Sequence, residues 1–106
     1  MKLLAASILF LSLGAHASNL CQKLDAKPAY LQALTVVATN MQYTMSEICS
    51  HERILDIQID NTKIINKDGQ VEPHIWVTLH YNEYSCQYFV RDEDMIVTRK
   101  NCYNTF

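Results

Sequence analysis

Cys21, Cys49, Cys86 and Cys102 have the strongest claim to chemistry in this chain of 106 residues. A zinc site or a disulfide oxidoreductase asks for close cysteine pairs of the C-x-x-C kind. No two of these cysteines are nearer than sixteen positions. Four widely spaced cysteines in a short chain read instead as two disulfides, with three connectivities open. Disulfides persist in an oxidising compartment, and the chain begins with the means of reaching one. Lys2 precedes an apolar run, Leu3 to Leu13, broken only by Ser7 and Ser12, and Ala15-His16-Ala17 sets small residues where a signal peptidase reads. That run is shorter than the roughly 20 apolar residues of a permanent membrane span. Residues 1–17 are therefore read as an export signal and 18–106 as one domain, periplasmic or secreted. Leu20, not a small residue, precedes Cys21, which argues against lipid attachment.

Histidines are the next candidates, and beyond the signal they are His51, His74 and His80. His74 and His80 fall on one strand and one face, six residues apart. At about 3.3 Å per residue they stand close to 20 Å from each other, too far to share a metal. His80 is expected across from Asp56, as a cross-strand pair or a pH-sensitive contact. The chain has no G-x-S-x-G, no H-E-x-x-H and no glycine-rich phosphate loop. No catalytic residue, metal or cofactor is assigned, and the chain is read as a non-enzyme. Nine basic against eleven acidic residues give a net charge of −2, and Arg99-Lys100 is the one adjacent basic pair. Phosphate-tracking needs a basic stripe, so nucleic acid is excluded as a partner.

The elements that must position these residues divide at about Ser50. Asp25 and Pro28 suit a helix start, and the spacing of Tyr30, Leu34, Val37, Met41 and Ile48 predicts one long helix over 26–49. Gln32, Thr35, Thr39, Gln42 and Ser46 form an opposite stripe without charge. After Ser50 the period changes to two: Leu55, Ile57 and Ile59, then Ile75, Val77, Leu79 and Tyr81, then Tyr84, Cys86, Tyr88 and Val90. Lys67-Asp68-Gly69 suits a three-residue hairpin loop with Gly69 left-handed. Short connections make the four strands an antiparallel meander. The turns set Ile57 opposite Leu79, Val77 opposite Tyr88, and Tyr88 opposite Val97.

An α+β fold follows, one long helix on a four-stranded antiparallel meander, and its element order resembles the cystatin-like architecture. It is also similar to small exported bacterial proteins of the colicin M immunity type. The cystatin inhibitory motif Gln-x-Val-x-Gly is absent, so papain-protease inhibition does not carry over. A helix over 26–49 spans roughly 35 Å, which holds Cys21 and Cys49 apart and predicts Cys49–Cys86 with Cys21–Cys102. Cys86–Cys102 is the rival pairing if the last strand is bulged.

The outward face of the sheet carries the functional expectation. Trp76 should face Phe89, and Phe89 should face Ile96, with Asp60 at the end of the row and His80 as a second polar flank. An open sheet ordinarily shows water a polar face, and exposed aromatics of this kind mark protein contacts. The chain is thus expected to dock a protein partner, as an inhibitor, immunity factor or accessory protein. The uncharged helix side is a second surface, for self-association as a homodimer. The alternative is a small-ligand carrier or enzyme with a cavity between helix and sheet, lined by Tyr30, Tyr43, Tyr81, Tyr84 and Tyr88.

Overall fold

Seven elements follow one another in the computed structural model, which describes residues 19–24 and 27–105. They are α1 (Asn19–Gln22), α2 (Pro28–Asn40), α3 (Met45–Cys49), β1 (Asp56–Ile65), β2 (Val71–His80), β3 (Tyr84–Arg91) and β4 (Ile96–Asn104). The export signal over 1–17, Ser18 and the helix start at Asp25 lie outside the described residues. No helix among the described residues is long and apolar enough to cross a membrane.

The expected long helix is two helices. Pro28 opens α2, where its missing N–H costs nothing. After Asn40 the chain closes with Tyr43 N donating to the Ala38 carbonyl at 2.8 Å and Gln42 N to the Thr39 carbonyl at 2.9 Å. These are the paired bonds of a Schellman ending, with Gln42 at φ 65° in the left-handed position glycine usually takes. Thr44 then starts α3 with a capping box. Its hydroxyl accepts from Glu47 N at 3.1 Å while Glu47 Oε1 accepts from Thr44 N at 2.9 Å. Those bonds hold the Glu47 carboxyl below its ordinary range.

This break overturns the predicted disulfides. With the helix reversed at Gln42, Cys49 comes back beside α1, and the bridges are Cys21–Cys49 and Cys86–Cys102. Neither Cys49–Cys86 nor Cys21–Cys102 forms. The second bridge follows from a bulge between Phe89 and Val90, beyond which β4 slides until Cys102 stands opposite Cys86.

The sheet is a meander in the order β1-β2-β3-β4. Its first two registers match the alternation: Ile57 pairs with Leu79 and Ile59 with Val77, then Leu79 with Cys86 and Val77 with Tyr88. The β1–β2 turn is the expected one. Asn66 N donates to the Gln70 carbonyl, Gly69 sits at φ 78°, and Asn66 Oδ1 accepts from both Asp68 N and Gln70 N at 2.9 Å. The third register differs from expectation, since Tyr88 faces Lys100 rather than Val97. The turn before β4 accounts for two residues of the shift and the bulge for the third. Arg91 holds Asp94 through two bonds of 2.9 and 2.8 Å, and Met95 takes φ 55° to re-enter the sheet.

One face of the sheet meets the helices. Ala33, Leu34 and Val37 of α2 and Ile48 of α3 are 0% exposed, as are Val77, Leu79 and Val90 below them. Each such aliphatic side chain contributes about 1.5–3 kcal/mol by leaving water. Tyr30 and Tyr88 complete the core with Lys27 over the first ring and Lys100 over the second.

Candidate docking face

The opposite face of the sheet has no described helix over it, and the odd–even alternation sends Asp60, Trp76 and Phe89 to it in one row. The ladder pairs Asp60 with Trp76, Trp76 with Phe89, and Phe89 with Arg99. Trp76 and Phe89 stack with ring centroids 6.0 Å apart and planes 6° from parallel. The Arg99 guanidinium lies 5.8 Å over the Phe89 ring, a cation–π contact. Trp76 Nε1 is buried and has no hydrogen-bond partner among the described residues. Both rings are mostly buried, and with its nitrogen covered the exposed part of the indole is carbon. The row therefore reads acid, aromatic, aromatic, base.

Ile96 does not belong to it. The turn displaces β4 by two residues and the bulge, which leaves Thr98 as the extra residue, by a third, so Arg99 takes the place expected of Ile96, which stands opposite Arg91 instead. Ile96 is 50% exposed and borders a shallow hollow of about 390 Å³ with Thr35, Val36, Thr39 and Asn40 of α2.

His80 is opposite Asp56 in the ladder, as expected, but its hydrogen bonds go elsewhere. Gln58 Oε1 lies 2.7 Å from Nε2 and Ser85 Oγ lies 2.7 Å from Nδ1. A carbonyl oxygen only accepts, so Nε2–H donates to Gln58 and Nδ1 accepts the Ser85 hydroxyl proton. A serine that gives its proton to histidine has the look of a nucleophile. Ser85 is 0% exposed, so no substrate reaches its oxygen, and the trio is a polar clamp across three strands. Asp56 is taken by Lys23 at 3.3 Å, which ties the segment after α1 to the sheet.

His74, one row beyond Trp76, is 2% exposed although it faces outward. Its Nδ1–H donates to the Glu72 carbonyl at 3.1 Å, and Nε2 pairs with the Thr98 hydroxyl at 2.8 Å. The bulge is what delivers Thr98 to it. Both histidines are satisfied, apart from each other, and hold strands together. No group of three metal-ligating side chains exists among the described residues.

The tyrosines proposed for a cavity make separate contacts. Tyr43 bonds His51 Nε2 at 3.2 Å, whereas Tyr81 and Tyr84 stack at 4.5 Å. That stack walls a hollow of about 310 Å³ with Leu55, Glu52 and Arg53. It lies at the end of the sheet, not between helix and sheet. Burial, reinforced by Tyr88, Tyr84 and Tyr43, pushes the Tyr81 hydroxyl up to about 12 from 10.0. The folded chain then keeps a proton that the unfolded chain releases, so stability falls as pH rises from about 10 toward 12. Tyr81→Phe should flatten that fall, read as the difference in urea midpoint between variant and parent at about pH 9 and pH 11. Parallel curves would show Tyr81 to be as solvated folded as unfolded.

The chain matches no protein-family model, no curated protein and no solved structure.

Proposed function

We propose that this chain is a small exported module that binds another protein through the outer face of its sheet. Trp76, Phe89, Asp60 and Arg99 would make the principal contact, and His80 would flank it. The observation that carries this reading is the Trp76–Phe89 stack, partly exposed between an acid and a base. Aromatic anchors inside a polar rim are the composition of binding hot spots. Two disulfides suit a domain of this size working where thiols oxidise. Inhibitor, immunity and accessory roles all use such a surface. The helix against a meander supports the cystatin-like likeness as a proposal about architecture alone.

Placing a photoreactive residue at Gln87, beside the stack, and in a second variant at Gln32 on α2, tests the reading. After irradiation in envelope or culture extract of the source, protein adducts should form at Gln87 and not at Gln32. Trp76→Ala should lower the Gln87 yield about tenfold or more, with the far-ultraviolet spectrum unchanged. No adduct at Gln87, or a yield indifferent to Trp76, would overturn it.

A further inference from the structure

The central row of the outer face is antisymmetric in charge, and this names an occupant. Across the strands it runs Asp60, Trp76, Phe89, Arg99. Rotating a second copy by half a turn about an axis parallel to the strands, and laying it face to face, reverses that order. Asp60 then meets Arg99 of the other copy, and Trp76 meets Phe89. On one side, Thr62-His74-Arg91-Ile96 sets Arg91 over the buried His74 and Thr62 against Ile96, without charge pairing; the two rows on the other side agree. Asp56-His80-Ser85-Tyr103 brings a carboxylate to a phenol, and Gln58-Thr78-Gln87-Asn101 brings amide to amide. An axis running across the strands instead would set Asp60 on Asp60 and Arg99 on Arg99. Of the two in-plane axes through this row, only the one along the strands pairs opposite charges, so the row favours that orientation.

We infer that the protein docked on this face is a second copy of the chain, in a two-fold dimer whose axis runs along the strands. The inference rests on the docking reading above and adds its partner. Asp60 makes no ion pair among the described residues. Arg99 engages only a ring within its own copy there, so each gains a partner across the interface. Four strands about 4.8 Å apart and four rows about 6.8 Å apart give roughly 500 Å² a side, or about 1,000 Å² in all. That is the low end for a specific interface, and it predicts association that concentration can titrate.

Sedimentation equilibrium on the oxidised protein, from micromolar to about millimolar concentration, decides the matter. The parent should pass from monomer to dimer. Asp60→Arg and Arg99→Asp should each weaken association at least about tenfold, since each sets like charges against each other twice. The double variant Asp60→Arg/Arg99→Asp restores both contacts and should dimerise within a few fold of the parent. A parent that stays monomeric overturns the inference, as does a double variant no better than the singles. Gln87 adducts to other proteins, formed by a monomeric parent, would leave the docking reading standing while this one falls. Absence of every adduct at Gln87 would remove both.

Discussion

Cys21→Ala/Cys49→Ala is expected to lower the unfolding free energy by about 3.5 kcal/mol. The bridge closes a loop of 28 residues, and restricting an unfolded chain over that length is worth about this much. The Cys86–Cys102 bridge closes 16 residues and is worth about 3 kcal/mol on the same basis. Single small domains hold roughly 5–10 kcal/mol in all, so the first loss is a third or more of the total. It also falls where the fold has least else to rely on. α1 and α3 have four and five residues, too short to be stable without a tether. Urea unfolding measures the loss, and a thiol titration of the same variant checks the pairing. The remaining Cys86 and Cys102 should show no free thiol. Two free thiols would mean that Cys21 and Cys49 had been bonded to them.

Leu34→Ala is expected to be as damaging, costing about 3–4 kcal/mol. Leu34 is 0% exposed in the middle of α2 and faces a sheet whose own side chains are already close-packed, so the lost volume remains as a cavity. Gln32→Ala on the exposed side of the same helix is the control and should stay within about 0.5 kcal/mol of the parent. Equal effects at the two positions would mean that α2 does not present this face to the sheet.

Strand pairing was legible because alternation leaves little choice. A one-residue slip of β1 on β2 would turn Ile57 and Ile59 out of the core together, so the first two registers follow from the alternation pattern. The helix break was marked in the sequence too, though weakly. Thr44-x-x-Glu47 is a capping-box signature inside an apolar pattern that continues through it. The ending before it uses Gln42 where glycine would have announced a stop. Helical periodicity survives such a break because Ile48 of α3 joins the same core as Val37 of α2. The third register was hidden for a different reason. A bulge adds one residue without any compositional mark, and the residues of β4 are almost all exposed, so no buried face pins its alignment. The disulfides inherited both errors. The candidate site inherited one, exchanging Ile96 for Arg99, and that exchange turned an apolar stripe into a row with opposite charges at its ends.

Trp76 is the only tryptophan of the chain, and fluorotryptophan incorporation turns it into a reporter of the outer face alone. In dilute solution its single fluorine resonance should shift between light and heavy water, as a ring in contact with solvent does. On docking, the resonance should move and lose that solvent effect. A resonance blind to the solvent in dilute solution, and unmoved by any partner, would show that Trp76 lies in a second core and that this face binds nothing.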